Sequence, residues 1–165
     1  MTLANKVTVA RIALIPFCLA FLLTGFYGLA ALVFVVLSFS DAIDGYIARK
    51  YNQVSELGQQ LDPLADKILV LTVLIALTAL GKAGPVAVIL LAAREFVVAS
   101  LRVKKSFAAS PVAKWKTVVQ MFAIFLAILS LPLAGLVLWL AVILAYVSGG
   151  AYLWQSQLLK QLRTT

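Results

Sequence analysis

Four aspartates fall in two pairs, Asp41 with Asp44 and Asp62 with Asp66. The first pair is spaced i, i+3 and the second i, i+4. On a helix, either spacing puts both carboxylates on one face. Four carboxylates in one place repel one another and take up protons unless cations hold them. A ligand set made only of carboxylate oxygen selects Mg²⁺, Mn²⁺ or Ca²⁺ over soft metals. Four such groups can bridge two ions, the arrangement that serves in-line displacement at phosphorus. The chain has no histidine, which removes imidazole ligands, imidazole bases and His-paired nucleophiles.

Two other readings of the aspartates stay open at this level. They could pair with Arg49, Lys50 and Lys67 as interfacial salt bridges, or line the cation or proton pathway of a transporter. The neighbouring residues favour a nucleotide phosphate. Gly45 follows Asp44 in mid-helix, where glycine costs up to ~1 kcal/mol, and its missing side chain lets a flat ligand approach the backbone. Ala48 is small and one turn on, and Arg49 can neutralise a phosphate. A transporter gives no reason for these three. Gly58, one turn before Asp62, reads as part of a connecting loop.

The elements that carry these residues are apolar. Hydrophobic residues make up 64% of the 165 and charged residues 12%, with a mean hydropathy of +1.06. An average soluble domain carries about a quarter charged residues, and a fold of this size cannot hide so much apolar surface from water. A soluble enzyme and a disordered chain are both excluded, and an integral membrane protein follows. The apolar runs are continuous, which argues against a β-barrel. The charge-free runs are 12–40, 68–81, 83–93 and 117–159. A membrane helix takes ~20 residues, so the two middle runs suffice only with their charged neighbours included. The expected architecture is all-α, a bundle of six transmembrane helices over 8–24, 28–50, 62–80, 84–103, 114–131 and 133–157, with residues 1–165 forming one membrane domain.

Threading six spans alternately puts every lysine and arginine on or near one side except Lys82, alone on the other, and Arg94, within span 4. By the positive-inside rule both termini are cytoplasmic, and the acidic pairs lie at that end too. The formal net charge of +8 sits almost wholly there, where it suits anionic headgroups. No aromatic-basic platform for nucleic acid is present. Residues 1–25 have the basic start and apolar core of a secretory signal, but no clear cleavage site, and read as a retained helix. Trp115, Trp139 and Trp154 read as interface or packing residues, Cys18 as apolar filler, and Gly149-Gly150 as a place where helices pack closely or bend.

Taken together, Asp41-x2-Asp44-Gly45-x2-Ala48-Arg49-x8-Gly58-x3-Asp62-x3-Asp66 resembles the signature of the CDP-alcohol phosphatidyltransferase family, with every fixed position and both gaps matched. Asn5-Lys6-Val7-Thr8-Val9-Ala10-Arg11, Leu61-Asp62-Pro63-Leu64-Ala65-Asp66-Lys67, Ala93-Arg94-Glu95-Phe96, Leu101-Arg102 and Lys114-Trp115-Lys116-Thr117 are similar to its bacterial phosphatidylglycerophosphate synthase branch. Spans 5 and 6 match only in hydrophobicity. The resemblance implies a six-helix, usually dimeric enzyme of the bacterial inner membrane. Its substrates would be CDP-diacylglycerol and glycerol 3-phosphate, its products phosphatidylglycerophosphate and CMP, and its active site cytoplasmic. It implies two Mg²⁺ or Mn²⁺ ions on Asp41, Asp44, Asp62 and Asp66, with Asp66 also the general base. It places Gly45, Ala48 and Arg49 along the cytidine and its phosphates, with Asn5 and Thr8 beside them.

A charged acceptor agrees with span 4. Arg94 and Arg102, with Val98 between them, rise in steps of four along one side. Glu95 points about 100° away on an ideal helix, so Arg94 lacks a partner that a bound phosphate would supply through bidentate contacts. Lys114 and Lys116 complete the pocket. The alternative pairs Arg94 with Asp62 or Asp66. A phosphorylated acceptor fits inositol phosphate as well as glycerol 3-phosphate; serine or another alcohol would need a different pocket.

Overall fold

Charge-free stretches punctuated by glycine or proline give six helices: α1 (Leu3–Leu23), α2 (Tyr27–Lys50), α3 (Glu56–Ala79), α4 (Pro85–Lys104), α5 (Pro111–Ile128) and α6 (Ala134–Gln155). The computed structural model describes the backbone of residues 3–50, 56–104 and 111–155 and the side chains of 10–40, 67–100 and 115–150. No strand occurs among the described residues. Pro85 and Pro111 each occupy the first helical position, where a missing N–H costs nothing.

Three tight turns close the α1–α2, α3–α4 and α5–α6 hairpins by one device. After each helix a residue adopts a left-handed backbone, and the following N–H reaches back five residues. Gly25 (φ 85°) is followed by Phe26 N–H donating to the Phe21 carbonyl at 2.9 Å. Gly81 (φ 70°) is followed by Lys82 N–H donating to Leu77 at 2.8 Å. Ser130 (φ 55°) is followed by Leu131 N–H donating to Leu126 at 2.9 Å. This satisfies carbonyls that each helix end would otherwise leave orphaned.

The three turns meet. The Lys82 ammonium, between α3 and α4, donates to the carbonyl of Ile128 at the end of α5 at 3.1 Å. It also lies 2.9 Å from the centre of the Tyr27 ring at the start of α2. The helices therefore alternate up and down, and the starts of α1, α3 and α5 gather with the ends of α2, α4 and α6 at the opposite end. Lys82 stands alone at the turn end among the described residues, as the charge pattern predicts.

Within the bundle α3 packs on α1, α2, α4 and α5, while α6 packs on α4 and α5. Each helix buries one stripe at helical spacing, for example Ile15, Cys18 and Leu22 on α1, Phe34 and Leu37 on α2, and Ala123, Ala127 and Ile128 on α5. Alanine recurs in the core (Ala30, Ala31, Ala87, Ala141, Ala145) and lets helices approach closely. Cys18 is core filler, its thiol 3.6 Å from the Ala30 carbonyl.

The outer faces invert the usual partition. Phe17, Leu32, Phe39, Ile75, Ile89, Phe96 and Leu136 are exposed, while Arg11, Arg94 and Lys116 are buried. No charged side chain is exposed among the described residues. Among those same residues, no helix is long and apolar enough to cross a membrane; the part of each helix with described side chains is shorter than the ~20 residues a crossing takes.

The helices begin and end within a few residues of the expected spans, except that two start earlier: α1 starts at Leu3, not near 8, and α3 at Glu56, not near 62. Gly58 is therefore inside α3, which corrects its reading as loop. The segment Glu56 to Gln60 is mostly polar, with Leu57 its one large apolar residue, yet it continues the helix.

Candidate active site

The up-and-down threading brings the sequence-predicted residues to one end of the bundle. Asn5 and Thr8 lie near the start of α1, and Asp41, Asp44, Gly45, Ala48 and Arg49 on the last turns of α2. Asp62 and Asp66 lie on the first turns of α3, Arg102 near the end of α4, and Lys114 and Lys116 at the start of α5. α2 packs on α3, so the two acidic pairs occupy neighbouring helices at the same end. Both pairs sit on helical backbone, as their spacing requires. Of these residues, only Lys116 is among those whose side chains are described. The side chains of Asn5, Thr8, Asp41, Asp44, Gly45, Ala48, Arg49, Asp62, Asp66, Arg102 and Lys114 lie outside them. Among the described residues no cluster of three or more acidic or thiol side chains forms a metal site.

The described part of the site is an ionic network joining α4, α5 and α6. Arg94 is 8% exposed. Its Nε donates to the Ala145 carbonyl at 2.8 Å and its Nη2 to Ser148 Oγ at 2.6 Å, so one edge of the guanidinium is docked on a turn of α6. Ser148 in turn donates to the Ala145 carbonyl at 3.0 Å. Arg94 Nη1 donates to Glu95 Oε1 at 3.0 Å. The same carboxylate oxygen accepts from Lys116 Nζ. Lys67, the residue after Asp66 on α3, also acts electrostatically on Glu95. Removing one partner of such a buried pair typically costs about 3–5 kcal/mol, because the other charge is left uncompensated.

This geometry corrects the expectation for Glu95. Its Cβ direction differs from that of Arg94, but the long arginine stem bridges the difference and the two form an ion pair. Glu95 supplies the negative charge beside Arg94, and the need for a bound phosphate does not follow from an unpaired arginine. Pairing of Arg94 with Asp62 or Asp66 lies outside the described residues. Arg94 and Lys116, both singled out by sequence, are brought together, through Glu95.

One participant was not foreseen. Ser148 is fully buried on a helix that otherwise reads as pure apolar span; its signal was a small hydroxyl beside Gly149-Gly150. Gly149 explains itself here. A Cβ at that position would lie 3.4 Å from Arg94 Nε, 3.7 Å from its Cγ and 3.8 Å from Val98 Cγ2. The arginine stem thus lies against α6 at Gly149, within ordinary contact of where a Cβ would stand, in line with the close-packing reading. At Gly150 nothing lies within 4 Å. Trp115 and Trp139 are 67% and 48% exposed, so they do not pack inside this chain.

Comparison with known proteins gives one family. Residues 1–147 match the CDP-alcohol phosphatidyltransferase family. The chain is 42% identical to the CDP-diacylglycerol–glycerol-3-phosphate 3-phosphatidyltransferase of Rickettsia bellii, over 91% of this chain and 92% of that protein. It is 38% identical to the protein of the same name from Bacillus subtilis, again over 91% and 92%. A rice protein named cardiolipin synthase (CMP-forming) is 30% identical over 93% of this chain and 55% of its own length.

Proposed function

The chain belongs to the CDP-alcohol phosphatidyltransferase family, and from that premise we propose that it transfers the phosphatidyl group of CDP-diacylglycerol to glycerol 3-phosphate, giving phosphatidylglycerophosphate and CMP. The observation that carries this reading is the complete eight-residue motif from Asp41 to Asp66, set on the adjoining ends of α2 and α3. Relatives about 40% identical over nine-tenths of the chain carry the name of that activity. A transporter is set aside, since the family and the relatives are transferases.

The donor set fits hard divalent cations: four carboxylates in two helical pairs and no imidazole or thiolate beside them in sequence. Asp41, Asp44, Asp62 and Asp66 would hold two Mg²⁺ or Mn²⁺ ions, which when bound supply neutralisation of the diphosphate and of the charge that builds on the departing oxygen. Gly45, Ala48 and Arg49, with Asn5 and Thr8, hold the cytidine and its phosphates. Asp66 takes the proton of the acceptor hydroxyl. The freed oxygen attacks the phosphatidyl phosphorus, the bond from that phosphorus to the bridging oxygen breaks, and CMP leaves with the electron pair. Direct displacement suits a chain without a His-activated nucleophile. Arg94 and Lys116, with Arg102 and Lys114, hold the acceptor phosphate.

The inverted surface supports a membrane setting. Large apolar side chains face outward on every helix and ionised groups face inward, the partition expected where the solvent is lipid. Exposed Trp139 near the turn end and Trp115 near the site end suit the two interfaces of a bilayer. In this reading the chain is one domain of six spans in a bacterial inner membrane, a homodimer, with both termini and the site cytoplasmic. The test is CMP release by purified protein in detergent with Mg²⁺ or Mn²⁺, using CDP-diacylglycerol and a panel of acceptors. Release with glycerol 3-phosphate alone supports the assignment. Release with inositol phosphate or serine instead would replace the acceptor, and ion flux without CMP would replace the class.

A further inference from the structure

An acid in an anion-binding pocket is a liability, because it repels the ligand. Glu95 nevertheless sits between the two described cations to which the acceptor phosphate is assigned above. One of its oxygens accepts from both Arg94 Nη1 and Lys116 Nζ. Two donors on one oxygen stand no more than roughly 6 Å apart, two hydrogen-bond lengths, a span that one phosphate can bridge. Both side chains are long and flexible, on different helices, and 7% exposed. Glu95 Oε1 is their common acceptor. On the far side, Ser148 and the Ala145 carbonyl fix the opposite edge of the guanidinium. Of the five N–H groups an arginine carries, three are thus committed, and the second N–H on each terminal nitrogen has no partner among the described residues.

We propose that Glu95 is a positioning residue for the acceptor site, holding Arg94 and Lys116 at the separation one phosphate needs, with Ser148 fixing the plane of Arg94. Glu95 does not touch substrate; it acts through the two cations. The inference rests on the reading that those cations hold the acceptor phosphate, and the experiment separates the two.

Initial rates of CMP release are measured with glycerol 3-phosphate titrated at saturating CDP-diacylglycerol, and the reverse. Glu95→Gln keeps the shape and removes the charge. It is expected to raise the KM for glycerol 3-phosphate about tenfold, the loss of one charge-assisted hydrogen bond. Both kcat and the KM for CDP-diacylglycerol should stay within about twofold, and Glu95→Asp should recover part of the loss. Arg94→Lys and Lys116→Ala are measured alongside. If these two raise the acceptor KM and Glu95→Gln leaves it unchanged or lowers it, the positioning role is wrong and the acceptor reading stands. If neither cation variant moves the acceptor KM, the acceptor reading itself falls. Equal damage to both substrates in Glu95→Gln would also overturn the proposal, as a general loss of structure. Should Glu95→Gln fail to fold, Ser148→Ala takes its place, with a severalfold rise in acceptor KM expected and an unchanged value refuting it.

Discussion

Lys82→Met tests the threading on which the gathering of the site residues depends. Lys82 joins three hairpin turns, donating to the Ile128 carbonyl at 3.1 Å and lying 2.9 Å from the Tyr27 ring centre. Methionine keeps the length and bulk of the stem, so the change removes the charge without opening a cavity. A hydrogen bond from a charged donor contributes about 1.5–3 kcal/mol and a cation–π contact about 0.5–2 kcal/mol. Relief from holding a half-buried ammonium offsets part of this, leaving a loss of about 2 kcal/mol. In a chain of this size each kcal/mol moves Tm by about 2–4 °C, so thermal unfolding in detergent should fall by about 4–8 °C. Tyr27→Phe retains the ring face and should leave Tm unchanged, whereas Tyr27→Leu should lose about 1 kcal/mol. The 24 residues of α2 separate this turn from the far end by roughly 36 Å at 1.5 Å per residue. CMP release per folded molecule should therefore be untouched. An unchanged Tm would refute the meeting of the three turns. A fall in kcat at unchanged Tm would refute the separation of the turn end from the site end.

The other expectations concern the site and one turn. Gly149→Ala places its Cβ at ordinary contact distance from Arg94 and should leave the KM for glycerol 3-phosphate within about twofold. Gly149→Leu should displace the guanidinium from Ala145 and Ser148 and raise that KM about tenfold or more. Asp66→Asn should lower the rate of CMP release at least about a hundredfold, the usual worth of a positioned base; full activity would refute its role. Stripping divalent ions with a chelator should abolish CMP release, and Mg²⁺ or Mn²⁺ should restore it. Ser130→Gly relieves a left-handed backbone at φ 55°. Because glycine also costs chain entropy, the net gain should be about 0.5–1 kcal/mol, seen as a rise in Tm of about 1–4 °C.

The sequence was most informative where local rules suffice. Carboxylate spacing placed both acidic pairs on helices. Charge counting set Lys82 apart from the other basic residues. Reading failed where the answer depended on which helix lies against which. Spacing along α4 put Glu95 away from Arg94, but a six-bond side chain is not confined to its own face, and Lys116 from α5 closes the triangle. Ser148 was invisible for the same reason: nothing in the α6 sequence states that this serine meets α4. Gly58 was misplaced because the start of α3 is polar, so a reading driven by apolar periodicity began the helix too late.

That failure has a physical basis in lipid, the setting proposed here for the bundle. Where apolar side chains cover both the inner and outer faces of a helix, burial discriminates weakly among packings, because lipid tails are as apolar as leucine. Close packing of small residues and a few polar contacts must then set the register. The structure holds one such set near each end among its described residues: Lys82 with Tyr27 and Ile128 at the turns, and Arg94 with Glu95, Lys116, Ser148 and the Ala145 carbonyl toward the site. Between them the core is mainly alanine, leucine, isoleucine, valine and phenylalanine, which tolerate sliding, with Tyr146 Oη donating to the Leu90 carbonyl at 3.3 Å from α6 to α4. The register of α4 against α6 is thus held by a guanidinium seated over Gly149 and by the Tyr146–Leu90 hydrogen bond, and the packing of α5 on α6 then sets how far Lys116 stands from Arg94. Stability and acceptor recognition would draw on the same few polar atoms, which is why Glu95→Gln has to be read through the two KM values separately and not through activity alone.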